Sequence, residues 1–154
     1  MVTKKRIFSF LVCCLFVFSF SLNALAAMPS TETLVHQYIE TYSDDSYAVI
    51  SVYQDSPITR SGTVVGHKDY TYYDAGLAWT FTVHGTFSFT GSSSSCQAAS
   101  YTYSISNNVW YCTNANAWPD GNTANASGTM RRGSDGYLVF PNVTLSCTAS
   151  GSLY

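Results

Sequence analysis

From Leu77 to Thr90 the chain reads LAWTFTVHGTFSFT, an alternation that runs without a miss. Leu77, Trp79, Phe81, Val83, Gly85, Phe87 and Phe89 hold the odd positions. Ala78, Thr80, Thr82, His84, Thr86, Ser88 and Thr90 hold the even ones. Successive side chains leave a pleated strand on opposite sides, so a period of two marks a strand with one buried and one wet face. The stretch predicts Trp79, Phe81, Val83, Phe87 and Phe89 packed against a facing sheet, with the even positions in solvent. Drawn straight, such a ribbon would span ~46 Å at the usual rise per residue. It is therefore expected to bend or change sheets at Gly85, where a bulge or a close crossing leaves no room for a side chain.

Shorter signals of the same kind surround it. Tyr47 to Tyr53 reads as a strand ended by Asp55-Ser56-Pro57, and Val64-Val65 and Tyr70 to Tyr73 are weaker strands split by Gly66. After the serine run Ser92 to Ser95, Gln97 to Ser106 alternates again. Asn107-Asn108 suits a two-residue hairpin turn, with Val109 to Asn116 as the partner strand. Pro119-Asp120-Gly121 and Ser134-Asp135-Gly136 mark further turns around a strand from Thr123 to Arg132, and Tyr137 to Phe140 and Val143 to Ala149 close the domain. Strands at this spacing, in a chain rich in Ser, Thr and Tyr, argue an all-β antiparallel sandwich. Ala27 to Asp45 is different. Leu34, Tyr38 and Tyr42 lie four apart with Val35 and Ile39 beside them, which predicts a short N-terminal helix capped by Ser30 or Thr31, or else a mobile arm.

The N-terminus bears on the compartment. Lys4, Lys5 and Arg6 precede an apolar run from Ile7 to Phe20, and Ala24-Leu25-Ala26 supplies small residues at a cleavage site. That layout predicts a secretory signal peptide over residues 1–26, a segment of 27–45 ahead of the sandwich, and a β domain over 46–154. The run falls short of the ~20 apolar residues of a spanning helix. Cys13 and Cys14 follow Leu11-Val12 rather than the small residue a lipobox wants. A secreted, extracellular chain with no stable membrane anchor after signal removal is the expectation.

Three of the seven basic residues lie in the signal, leaving four against nine acids, a net charge of −5. Arg60, Lys68, Arg131 and Arg132 make no basic patch, so nucleic acid is not an expected partner. Catalytic patterns are equally thin. His36, His67 and His84 match no zinc-ligand spacing. His84 falls on the wet side of its strand, away from a Cys-His nucleophile arrangement. Glu32 and Glu40 lie in the N-terminal segment and the aspartates sit in or beside turns, so no carboxylate pair marks a glycoside-hydrolase cleft. Asp120-Gly121-Asn122 lacks the ligand spacing of a calcium loop. No enzyme, metal site or cofactor is expected.

Cys96, Cys112 and Cys147 remain after processing, an odd number in an exported chain. With Asn107-Asn108 as the turn, Tyr103 faces Cys112 and puts it on the apolar face, where Cys147 also falls in phase with Val143 and Leu145. Strict alternation puts Cys96 on the other face, although it directly follows the serine run. On the residues alone a Cys112–Cys147 bond, a bond from Cys96, and three reduced thiols all stay open.

The ordered set WTFTVHGTFSFTGSSSSC, WYC, GNTANASGT and VTLSCTASGSL, within Tyr70 to Tyr154, resembles a group of small secreted proteins of Gram-positive bacteria with no assigned activity. The resemblance implies a secreted, immunoglobulin-like β-sandwich and carries no catalytic residues. It also implies a first-with-last disulfide, Cys96–Cys147, with Cys112 a buried free thiol.

Two functions fit these observations. One is an extracellular interaction or structural module whose partner is an extracellular protein or a cell-envelope glycan. The other is a carbohydrate-binding module that offers exposed aromatics as flat platforms, with Tyr70, Tyr72, Tyr73 and Trp118 as the candidate surface.

Overall fold

A computed structural model describes residues 32–55 and 62–154, and the expected signal peptide lies outside them. Among the described residues nine strands follow in order: β1 (Thr33–Thr41), β2 (Tyr47–Gln54), β3 (Gly62–Tyr73), β4 (Leu77–Phe89), β5 (Ser94–Ile105), β6 (Trp110–Asp120), β7 (Thr123–Arg132), β8 (Leu138–Val139) and β9 (Asn142–Ser146). They form two antiparallel sheets, a five-stranded one in the order β1-β2-β3-β4-β5 and a four-stranded one in which β7 pairs with β6, β8 and β9. The fold is all-β. The larger sheet is a meander in chain order, whereas an immunoglobulin sandwich interleaves its strands between the two sheets.

β4 is the ribbon read from the sequence, and it stays in one sheet throughout, paired with β3 on one side and β5 on the other. Trp79, Phe81, Val83, Phe87 and Phe89 point inward and are buried, as the alternation requires. Two even positions depart from it. Tyr72 pairs with Trp79 but Tyr73 pairs with Leu77, so Ala78 sits at a bulge and is buried while Leu77 is exposed. Thr82 is only 8% exposed, since its hydroxyl donates to Asp69 Oδ1 at 2.7 Å on the neighbouring strand. At Gly85 the close crossing is real: a Cβ there would stand 2.4 Å from the Phe87 ring and 3.0 Å from Ala124 Cβ of β7. The nearby bulge lies one step on, where Thr86 pairs with Ala98 and Phe87 with Cys96.

Three sequence expectations are corrected. The segment expected as a short helix or mobile arm is strand β1, antiparallel to β2. A spacing of four fits a helical turn and also returns to the same face of a strand, so Leu34, Tyr38 and Tyr42 could not separate the two. Gly66 does not split β3; it lies where the C-terminal Leu153 crosses, and a Cβ would stand 2.3 Å from Leu153 Cδ1. Finally, Asn107-Asn108 does not make a hairpin. Ser106 and Asn107 both donate backbone N–H groups to Ala78 O at 3.0 Å, and the chain arches from β5 in one sheet to β6 in the other.

The core centres on Trp79. Tyr72 stacks on one neighbouring position at 5.0 Å and Tyr70 on another at 5.6 Å, while Trp110 of the facing sheet meets it edge-on at 6.2 Å. Each such ring removes about 150–250 Å² from water, so this cluster dominates the hydrophobic drive. Arg132 ties the sheets together at the same end. Its Nη1 lies 2.6 Å from Asp74 in the β3–β4 turn, while Nε and Nη2 hold Asp135 at 3.1 and 2.8 Å.

Candidate functional site

The proposed aromatic surface does not assemble. Tyr70 and Tyr72 are 8% and 1% exposed, because their strand positions face inward onto Trp79. Tyr73 points the other way and stacks on Tyr47 at 4.6 Å. Trp118 is 40% exposed, but it lies on the outer face of the other sheet, opposite Asn125 of β7. The four residues form no common platform.

The thiols are also placed differently. Cys96, Cys112 and Cys147 are all free, so the Cys96–Cys147 bond implied by the resemblance is not formed in the structure. The two residues nevertheless meet at one turn. Cys96 N–H donates to Gly121 O at 2.8 Å and Cys147 N–H to Asn122 O at 3.0 Å, each from its own sheet. Burial pushes both thiols up, and the nearby Cys96 raises Cys147 further. Cys112 is half-buried rather than buried, since it sits at the β6 bulge, where Cys112 pairs with Met130 and Asn114 with Thr129.

His84 lies on the flat outer face, where its Nε2 meets Thr102 Oγ1 at 2.9 Å, while Cys96 pairs with Phe87 on the inner face. The Cys-His arrangement is therefore not made. Burial lowers the His84 pKa, and the His67 ring, 5.6 Å away, lowers it further. A cluster that sequence spacing did not reveal is Glu32, Asp55 and His67, whose ligand-type atoms all lie within 4.8 Å of one another. His67 Nδ1 is 3.4 Å from Asp55 Oδ1, an enclosed oxygen with no hydrogen bond. Two carboxylates and an imidazole are a donor set able to hold a divalent cation.

A cleft lies on the opposite face of β1 to β3 from that cluster. The larger sheet extends past the smaller one, so the inner face of β1 and β2 looks across a gap at the β9 edge. Tyr38, Glu40, Ile50, Lys68, Tyr70 and Val143, with Asn142 and Thr144, line a cleft of about 230 Å³. Strand register explains the grouping: Tyr38 pairs with Ile50 and Ile50 with Tyr70, placing three inward side chains in one row. Lys68 occupies the next inward position of β3. Its ammonium donates to Thr144 O of β9 at 3.0 Å and lies 5.9 Å over the Tyr38 ring. An inward charge laid on an open strand edge discourages pairing by another chain. Burial lowers the Lys68 pKa, opposed by the Glu40 carboxylate.

Tyr42 donates to Glu40 Oε2 at 3.2 Å and shares a hydrogen bond with the Tyr70 hydroxyl. Burial is the main cause that drives the Tyr70 phenol far above its ordinary value, so it stays a neutral donor. Tyr72, pushed up to about 12 mainly by burial, is held by Ser46 Oγ at 2.9 Å behind this row. The cleft thus offers phenol rings, one carboxylate, one ammonium and an amide. Such a set suits hydrogen bonding to a neutral polar ligand with an apolar face. Among the described residues that line it, Glu40 is the one carboxylate. Glu40, Lys68 and Thr144 are brought together by register and sheet packing across long sequence separations, which leaves no local motif to find.

Comparison with protein-family models, curated proteins and solved structures yields no match to this chain. Among the described residues no helix is long and apolar enough to cross a membrane.

Proposed function

We propose that this chain is an exported, non-catalytic binding module whose recognition surface is the overhanging flank formed by β1, β2 and the cleft beneath them. The observation that carries the reading is β1 itself. Every residue from Thr33 to Thr41 is exposed, and Ile39 reaches 63%, although the strand carries Leu34, Val35, Tyr38 and Ile39. Apolar groups left open beside a polar cleft mark a surface that a partner covers.

The partner class is an extracellular protein or a cell-envelope glycan. The cleft favours the glycan, because about 230 Å³ is below the ~300–1,000 Å³ of pockets for drug-sized ligands and suits one sugar ring. Phenol rings stack on the apolar face of a sugar while Glu40, Lys68 and Asn142 meet its hydroxyls. Two measurements test the reading. Mass spectrometry of culture supernatant should find a chain starting at or within a residue or two of Ala27; recovery only as a full-length membrane-bound chain overturns export. Affinity electrophoresis through envelope polysaccharides, run beside a pull-down of envelope proteins, should show retention in one arm. Free migration in both overturns the module.

A further inference from the structure

We infer that β1 is a self-complementary edge strand that pairs antiparallel with β1 of a second copy about Tyr38, joining two five-stranded sheets into one. Among the described residues β1 is the outer strand of its sheet and pairs with β2 alone, so one row of its backbone N–H and C=O groups has no strand partner there. Natural edges are guarded by lysines, prolines, bulges or inward charges. The β9 edge has such a guard in Lys68, on Thr144 O. β1 has no Lys, Arg or Pro; its bulge lies at its start, between Leu34 and His36, and its one inward carboxylate, Glu40, would meet the inward His36 of a second copy. From His36 to Thr41 the register with β2 is unbroken.

The match of His36 with Glu40 selects the register. A two-fold axis at Tyr38 sets His36 opposite Glu40 of the other copy, Tyr38 opposite Tyr38, and Glu40 opposite His36. An axis at Gln37 would instead draw the irregular residues Thr33 to Val35 into the pairing. His36, Tyr38 and Glu40 share the inner face, so an imidazole and a carboxylate exchange partners on both sides of a central tyrosine pair. Hydrogen-bonded and aromatic cross-strand pairs are favourable, and a two-fold interface presents the same patch twice. Ile39 and its counterpart become diagonal neighbours on the outer face, which covers the most exposed apolar group of the strand. The pairing does not depend on what the cleft binds. It would, however, bring two clefts side by side and give a repeating polymer two points of attachment.

The test is sedimentation equilibrium over a range of concentrations, using the chain as recovered from its producing cells. The unaltered chain should associate reversibly to a dimer. His36→Glu sets two glutamates opposite each other twice, and it should weaken association at least about tenfold, a 1.4 kcal/mol change. Combining His36→Glu with Glu40→His restores both imidazole–carboxylate pairs and should restore the dimer. Ile39→Lys, on an exposed position outside the core, should be monomeric with unchanged near-ultraviolet circular dichroism. A wild-type monomer at every concentration, a dimer indifferent to Ile39→Lys, or a charge swap that folds without restoring association overturns the inference.

Discussion

Tyr72 and Trp79 sit opposite each other in the β3–β4 register and stack with ring centroids 5.0 Å apart and planes within 18°. Both are buried, and Trp110 closes on them from the facing sheet. Trp79→Ala should therefore cost roughly 3–5 kcal/mol, the range for removing a large buried aromatic. Thr82→Ala, which strips a donor from the Asp69 carboxylate, should cost about 1–2 kcal/mol. Thr86→Ala on the same outer face should stay within about 0.5 kcal/mol. Chemical denaturation of the three variants checks the order, and equal costs would contradict the assigned faces.

Gly85 and Gly66 are both inward positions where another part of the chain comes too close for a side chain. Gly85→Ala must displace the Phe87 ring and press on Ala124, so it should destabilise by about 1–3 kcal/mol through overpacking. Gly76→Ala offers a contrast. Nothing lies within 4 Å of its Cβ, yet its φ of +147° disfavours a side chain, so any loss there is backbone strain alone. A melting-temperature series separates the two causes, because only the Gly85 loss should be relieved by adding Phe87→Leu.

The thiols give a compartment-independent check. In the folded protein Cys112 should label first, as the half-buried thiol, while Cys96 and Cys147 stay protected by burial and by raised pKa values. After denaturation without reductant all three should label. A single label, with the mass two hydrogens low, would instead show the Cys96–Cys147 bond in the isolated protein.

Acid should weaken the fold through His84. Its folded pKa is lowered from 6.5, mainly by burial and then by His67, so the unfolded chain takes up the proton more readily. Stability from this site is full above about pH 6.5 and is lost as pH falls from there toward the lowered folded value. His84→Gln should flatten that part of the pH-stability curve. An unchanged slope would show that the imidazole titrates alike in both states.

Much of the fold was legible because β-structure announces itself by period. The alternation around Trp79 places Trp79, Phe81, Val83, Phe87 and Phe89 in the core and anticipates the crowding at Gly85, but it also puts Ala78 and Thr82 in solvent, where a bulge and the Asp69 contact bury them. What escaped was non-local. Leu34, Tyr38 and Tyr42 fit two periods at once, and only the presence of β2 to pair with decides for a strand. The Asn107-Asn108 pair has the chemistry of a hairpin turn, but Ala78 O captures the neighbouring N–H groups and steers the chain to the other sheet. Tyr70 and Tyr72 were read as surface because their partner, Trp79, lay on the next strand. The cleft was invisible for the same reason, since Glu40, Lys68 and Thr144 converge only through register and packing.

The cleft beneath β1 is where a ligand is expected to meet the molecule. The measurement is the dissociation constant for whichever envelope fraction retains the chain, compared among wild type, Tyr38→Ala and Trp118→Ala. Tyr38 walls the cleft, whereas Trp118 stands on the outer face of the other sheet. Tyr38→Ala is expected to weaken binding at least about tenfold, as removal of a central aromatic contact does, with Trp118→Ala within about twofold of wild type. Full affinity in Tyr38→Ala together with loss in Trp118→Ala would contradict the account and move the binding surface to the opposite side of the sandwich.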